Sequence, residues 1–371
     1  VPGHEAVQPA RLGDHVFAGL QVQMKGVGQH HLGAGLGQLR RAQAFDRGQG
    51  AHRHEPRRLH HAVGAETGAQ MVLRAVIEKQ KVNGAALAGV LATGRLCGDA
   101  RWMADPPSRA ALAAPLWLRD LAGAWVFYSV LPAWPWPAPR FERIARFAPW
   151  IGLVIGGLEA LLWLLSSGWL PPLTQSALVI ALGLWLSGGL HADGVIDTAD
   201  GLAAGPRALE AMADSRAGAA GVQALVVLLL LRLGGLLALA AACGPLLVAW
   251  TLLLVAIWSR ISPLLAIAWF PYLREQGTAG FHRQGRRSLG RELLPAVLLL
   301  VLLAAVALGH PQLLVLLLLP ALPTLLLPVA LGRRLGGHSG DSYGACVEWS
   351  GAVGVLLCGS VLSAAARWAA G

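Results

Sequence analysis

After one long apolar run and before the next, the chain reads Gly188-Gly-Leu-His191-Ala-Asp193-Gly-Val-Ile-Asp197-Thr-Ala-Asp200-Gly-Leu. On a helix advancing about 100° per residue, the spacings i, i+4 and i+7 put Asp193, Asp197 and Asp200 at about 0°, 40° and 340°, on one narrow face. Three carboxylates stacked this closely repel one another, and ionised groups at a membrane boundary are costly in any case. A divalent cation resolves the repulsion. Hard carboxylate oxygens without soft partners favour Mg²⁺ or Mn²⁺ over zinc. Such an ion ordinarily bridges phosphate oxygens, so the chemistry to expect is phosphoryl transfer. The plain alternative is a helix start whose acids cap free N–H groups and complement the helix dipole; it accounts for one aspartate but not for a face of three. His191 titrates near neutrality and could act as a general base or a phosphate contact. Its azimuth differs from that of the aspartates, so an interfacial histidine without a chemical role stands beside that reading.

Two further polar segments adjoin apolar runs. Asp214-Ser215-Arg216 precedes one, and Arg333-Arg334-Leu-Gly336-Gly337-His338-Ser339-Gly340-Asp341-Ser342-Tyr343-Gly344 precedes another. Both mix an acid with hydroxyl and guanidinium groups, and the second has glycines that would let backbone amides approach an anion, with a flexible turn as the alternative. Asp214, Ser215, Arg216, Ser339 and Asp341 are the groups there that could meet a phosphate. Arg232, Arg260, Glu159 and Glu348 lie within apolar runs, where a lone charge is expensive. Arg260 is expected to pair with the aspartates or an anionic substrate, whereas Arg232 is expected to snorkel to the interface.

The elements that must position these groups are membrane helices. Of the 371 residues, 55% are hydrophobic and 13% charged, and the mean hydropathy is +0.54; a soluble domain carries about 25% charged residues. Seven apolar runs are long enough to cross a bilayer core of roughly 30 Å: 150–167, 173–190, 219–243, 246–270, 293–308, 313–331 and 351–367. The stretch 116–131 contains Arg119 and Asp120 and ends in a proline cluster, so it is expected to be interfacial or re-entrant. The fold class is thus all-α, a polytopic bundle of about seven transmembrane helices. Short connections containing Arg140, Arg143 and Arg146, then Arg207 and Arg216, then Arg274, Arg283, Arg286, Arg287 and Arg291, then Arg333 and Arg334 all fall on one side of the bilayer. The intervening connections 168–172, 244–245 and 309–311 contain no Lys or Arg, so the arginine side, with every acidic motif, is expected in the cytoplasm.

The net charge of +10 does not indicate a nucleic-acid partner, because the basic excess is divided between two dissimilar parts of the chain. Residues 1–102 hold all three lysines and eight of the twelve histidines but only one of fourteen tryptophans, and show no sustained apolar period. They are expected to be an unstructured extension or sequence upstream of a true start at Met103, with a cleaved targeting peptide disfavoured for want of an apolar core. Residues 103–371 form the membrane domain. Four widely spaced cysteines offer neither a disulfide framework nor a C-x-x-C site.

The run His191-Ala-Asp193-Gly-Val-Ile-Asp197-Thr-Ala-Asp200-Gly, then Met212-Ala-Asp214-Ser-Arg216-Ala-Gly218, then Leu335-Gly-Gly-His-Ser-Gly-Asp341-Ser-Tyr-Gly-Ala-Cys-Val-Glu348, closely resembles the cobalamin synthase (adenosylcobinamide-GDP ribazoletransferase) family. The resemblance runs from about Leu121 to the C-terminus. It implies a Mg²⁺-dependent enzyme of the cell inner membrane that joins adenosylcobinamide-GDP to α-ribazole, or its 5'-phosphate, and releases GMP. It further implies metal on Asp193, Asp197 and Asp200, with one of them or His191 accepting the hydroxyl proton, Asp214 and Asp341 completing the metal shell and Arg216 at the phosphate. The chain departs from the family at Ala192, where a bulkier residue is usual, and at Gly351, where a second acid usually follows Glu348. A CDP-alcohol phosphotransferase is the nearest rival, but its D-G-x-x-A-R pattern is absent, since Asp193-Gly-Val-Ile is followed by Asp197-Thr. An ion-coupled transporter would place its acids in mid-span and not at one face. A chain that begins at Met103 is expected to insert and to keep its activity; failure to insert would show that residues 1–102 belong to the working protein.

Overall fold

The computed structural model describes residues 114–274 and 287–370; Arg283, Arg286 and the expectations for residues 1–102 and Met103 lie outside them. Among the described residues every regular element is helical, and extended backbone pairs once, in a parallel bridge between Tyr272 and His338. The helices are α1 (Leu116–Tyr128), α2 (Ala148–Ser166, entered through a 3₁₀ turn at Ile144–Phe147), α3 (Pro172–Leu186), α4 (Leu190–Ala204), α5 (Ala219–Ala242), α6 (Pro245–Ser259), α7 (Ser262–Trp269), α8 (Leu289–Ala307), α9 (Pro311–Leu318), α10 (Ala321–Leu335) and α11 (Gly340–Ala370). Proline stands in the first two positions of α2, α3, α6, α7 and α9. There it removes an N–H that would have had no helical partner, and its fixed φ suits the first turn.

Six helical stretches are long and apolar enough to cross a membrane, and α3 with α4 makes a seventh if that bent pair counts as one span. The protein is therefore a multi-pass, all-α membrane bundle. Two boundaries differ from the sequence expectation in ways that matter. First, α3 stops at Leu186, and Gly188 and Gly189 follow with φ of 63° and 66°. Side chains disfavour that left-handed region by about 1–2 kcal/mol, so a glycine pair is what permits the corner. The helices on either side are bent by 91°, and α4 leaves the direction of its span. Second, the last helix starts at Gly340, not near Gly351, so Asp341, Gly344 and Glu348 are helical and do not belong to a glycine-rich loop. Gly336, at φ 76°, ends α10. Three residues later a reciprocal cap starts α11: the Ser339 N–H donates to Ser342 Oγ at 2.8 Å, and the Ser342 N–H to Ser339 Oγ at 3.3 Å.

Helix α1 is tied down by its charges. Asp120 is buried at 1% exposure and accepts from Arg146 Nη2 at 2.9 Å, with Arg140 Nη1 at 3.7 Å. Burial pushes the Asp120 carboxyl above the usual carboxylate range, and the two arginines pull it back.

The centre of the bundle is α6, packed on α2 and on α11, while α11 also covers α4, α5 and α10. Close approach rests on small residues, as expected where apolar side chains gain nothing by leaving lipid. Gly152 and Gly156 on α2 leave no room for a Cβ against the Ala256 carbonyl and the Ala256 side chain on α6. On the periphery, Val222, Val226 and Leu230 of α5 and Leu294, Val297, Leu298, Val301 and Leu302 of α8 are exposed at helical spacing, which presents apolar stripes to lipid.

The crossing of α4 over α11 follows the same rule. A Cβ at Gly194 would run into the Asp341 carbonyl oxygen, and one at Gly344 would stand 3.2 Å from His191 Cα. Gly194→Ala is expected to push the helices apart, cost about 1–3 kcal/mol by overpacking and remove most activity. Gly157→Ala, whose Cβ would meet its nearest neighbour at 3.9 Å, should leave both the melting temperature and turnover unchanged.

Candidate active site

The glycine corner delivers Asp193 to the first turn of α4, where it is exposed; Asp197 and Asp200 are half-buried and His191 is buried. Because Gly194 lies against the start of α11, Asp341 comes to within electrostatic reach of Asp193. Beneath this crossing, Val195 of α4, Leu228 of α5 and Ala345 and Ala352 of α11 form one buried cluster. Two acids 148 positions apart in sequence thus stand on one polar edge of the bundle.

Arg274 faces the same edge. Its Nη2 lies 3.0 Å from Asp341 Oδ2 and also 3.0 Å from the Met212 carbonyl, joining α11 to the segment that precedes α5. The strip containing Arg274 is held by backbone bonds from Leu273 N–H to the His338 carbonyl, 2.8 Å, and from His338 N–H to the Pro271 carbonyl, 2.9 Å. Tyr272 stacks on Tyr343 with ring centroids 6.2 Å apart. His338 is fully buried and is kept neutral because burial lowers its pKa. Its Nε2 lies 3.0 Å from the Pro328 carbonyl, which can only accept, so in the neutral ring Nδ1 is left as acceptor toward Ser342 Oγ at 2.9 Å. The sequence pattern had used Arg274 for orientation alone; its role as a partner of Asp341 has no local signature.

Asp200 has backbone partners that the expected metal set does not include. Its carboxylate accepts from the Gly218 N–H at 2.6 Å and the Gly221 N–H at 2.8 Å. Those are the N-cap residue and third residue of α5, so Asp200 caps a neighbouring helix, using two donors that had no other partner. Among the described residues no group of three or more His, Cys, Asp and Glu side chains is arranged to hold a metal ion. The shared face of three acids exists on α4, but its last member is turned to helix capping.

Asp214 and Arg216 pair with each other. Arg216 Nη2 is 2.6 Å from Asp214 Oδ2, and both Arg216 Nε and its backbone N–H donate to Asp214 Oδ1 at 3.0 Å. The guanidinium beside it holds the Asp214 carboxyl down at about 2. Both side chains are open to water and Ser215 is exposed, and such a pair contributes little to stability. Arg216 can therefore exchange its partner for a phosphate at small cost. Ser339 cannot do the same: it is fully buried and committed to the α11 cap, which removes it from the phosphate-facing set.

Arg260 is not brought to the aspartates. It is buried at the end of α6, donates from Nη1 to the Ala256 carbonyl at 2.9 Å and, with Glu159, Arg232 and Glu348, lines an internal cavity of about 40 Å³. Arg232 does not snorkel; its Nη1 lies 3.0 Å from Glu348 Oε2 because α5 packs along α11. His191 turns toward this interior, with Nδ1 3.9 Å from Glu348 Oε1. Gly351 leaves the space an Arg232 guanidinium fills, since a Cβ there would be 3.0 Å from Nη2. The second carboxylate lining the cavity is Glu159, from α2.

The polar edge lies within the part of the chain that matches a known family. The sequence profile described as Cobalamin-5-phosphate synthase matches residues 120–359. The chain belongs to that family. Its relatives include the adenosylcobinamide-GDP ribazoletransferase of Prochlorococcus marinus strain MIT 9313, 55% identical over 264 residues that cover 68% of this chain and 99% of the relative. Another protein with that name, from Thermosynechococcus vestitus, is 44% identical over 245 residues, covering 64% of this chain and 94% of the relative. No solved structure matches the chain. As a member of this family the protein is a transferase.

The cap assigned to Asp200 separates it from Asp197 by experiment. Asp200→Ala in the transferase is expected to cost about 1–2 kcal/mol of stability through the lost cap. Asp200→Asn, which keeps one of the two acceptor oxygens, should restore part of that loss in a thermal melt and retain turnover. Equal loss of turnover in both variants at unchanged stability would return Asp200 to the reacting centre.

Proposed function

We propose that the protein transfers the adenosylcobinamide phosphate group of adenosylcobinamide-GDP to α-ribazole, or to its 5'-phosphate. The products are adenosylcobalamin, or its 5'-phosphate, and GMP, and the reaction depends on Mg²⁺ and takes place at the cytoplasmic face of the cell inner membrane. The substrates follow the names of the relatives. The observation that carries the chemistry is the α4–α11 crossing, which sets Asp193 beside Asp341 and Arg274 on one polar edge, with Asp197 one turn further along α4. The arginine bias of the connections supports the cytoplasmic assignment.

The donor set suits Mg²⁺. That ion is usually held by one or two carboxylates together with substrate phosphates and waters, and does not need a cage made wholly of protein. Asp193 is exposed and Asp197 half-buried, so both can present hard oxygens, with Asp341 within electrostatic reach of Asp193. Mg²⁺ held there would neutralise pyrophosphate charge and favour attack at phosphorus.

In the transfer, the ribazole hydroxyl oxygen forms a bond to the cobinamide-bearing phosphorus, and the bond from that phosphorus to the oxygen bridging it to GMP breaks. Asp197 or Asp193 takes the hydroxyl proton, and GMP leaves with the bridging oxygen. Arg274 and Arg216 each hold a guanidinium on a carboxylate that a phosphate can replace, so they offset charge on the departing group. The face stays polar at the bilayer edge, where a corrinoid and a nucleotide can both reach it.

Asp197→Asn keeps side-chain shape and removes the charge. Turnover is expected to fall roughly 100-fold or more, with the melting temperature unchanged and no rescue by excess α-ribazole. Near-normal turnover at limiting Mg²⁺ would remove Asp197 from the metal set. A membrane-impermeant thiol reagent should label Ser215→Cys only after the membrane is opened; labelling of intact cells from outside would reverse the orientation.

A further inference from the structure

A second cavity, of about 210 Å³, lies between the 3₁₀ turn before α2, the end of α7 and the start of α8. We propose that it binds the guanine base of the GDP-activated donor, an inference that rests on the transfer reaction proposed above. Pockets that enclose a whole drug-sized ligand run to about 300–1,000 Å³, so this one has room for a single planar base and not for a corrin ring. Its wall is apolar, formed by Ala145, Leu264, Ile267 and Leu289, while Glu142, Arg143 and Glu292 bring charge to it.

The charges are arranged for recognition of one edge of a base. Glu292 is buried, and its Oε1 accepts from Arg143 Nη2 at 2.7 Å, from Arg143 Nε at 3.2 Å and from the Arg287 N–H at 2.8 Å. All three bonds go to Oε1, which fixes the Arg143 fork. Glu142 is the accessible carboxylate: its side chain is 63% exposed against 11% for Glu292, its Oε2 bonds Arg140, and among the described residues its Oε1 accepts no hydrogen bond. Guanine presents two donors on one edge, N1–H and the exocyclic amine, which match a carboxylate, and an adjacent O6 acceptor, which matches a guanidinium. The dimethylbenzimidazole of α-ribazole has no N–H, so it would bury the same carboxylate without satisfying it, at a cost.

The cavity also points the right way. Ala145 and Ile267 of its wall pack in one cluster with Tyr272 and Tyr343, and Tyr343 lies two residues from Asp341. A base seated in the cavity therefore lies against the cluster that borders the Asp341–Arg274 pair in sequence.

Binding of the product GMP tests this without catalysis. Equilibrium dialysis with the full chain in lipid nanodiscs is expected to show GMP bound about tenfold more tightly than IMP, which lacks the exocyclic amine. Glu142→Gln, at an exposed position that should not disturb folding, is expected to erase that preference. Ala268→Phe, which narrows the cavity, should raise KM for adenosylcobinamide-GDP about tenfold and leave KM for α-ribazole unchanged. Unchanged GMP affinity in both variants of an active enzyme would overturn the assignment, as would a rise in KM for α-ribazole alone. If the wild-type protein binds GMP with this preference but makes no adenosylcobalamin, the guanine site stands and the transfer reaction falls.

Discussion

The contact between Gly194 of α4 and the backbone of Asp341 on α11 is the constraint from which the polar edge follows. With hydrogen in place of a side chain, two helices come close enough for a carbonyl to occupy the volume of a Cβ. In lipid this closeness has an energetic reason, because dispersion between tightly packed backbones replaces the hydrophobic gain available to soluble helices. Its chemical result is that Asp193 meets Asp341 although their charges repel. Arg274 offsets part of that repulsion through Asp341, and a divalent ion with its phosphate ligands would offset the remainder.

The corner at Gly188 and Gly189 is the other half of the arrangement. A straight continuation of α3 would carry the acids of α4 onward in the direction of that span. The 91° bend lays α4 away from that direction, and Asp200 then reaches the start of α5 and closes two of its free N–H groups. One aspartate is spent on architecture so that the other two are held on a fixed helix. A site built on rigid helices keeps its geometry better than one carried on a loop.

Deeper in the bundle, Glu159, Arg232, Arg260 and Glu348 place two acids and two bases around one small cavity. Isolated charges there would be prohibitively expensive, and even paired ones recover their desolvation only with good geometry. The short Arg232–Glu348 contact supplies part of that geometry, and the missing side chain at Gly351 leaves the guanidinium its place. His191 borders this network, so α4 contacts the buried charges on one side and carries Asp193 and Asp197 on another.

Much of this protein was legible in its residue order. Apolar runs of bilayer length required a helical membrane bundle, the arginines ranked its connections, and the spacing of Asp193, Asp197 and Asp200 put them on one helical face, because all three properties are local and periodic. What local pattern could not decide was which partner each charged group would meet. Asp200 faces the amides of α5, Arg260 faces Glu159 and Glu348 instead of the aspartates, and Ser339 starts a helix instead of lining an anion loop. Arg274 joins Asp341 from a segment 67 residues away. Charge pairing depends on distances of a few ångströms between elements remote in sequence, and those distances are set only when glycine crossings fix how the helices pack.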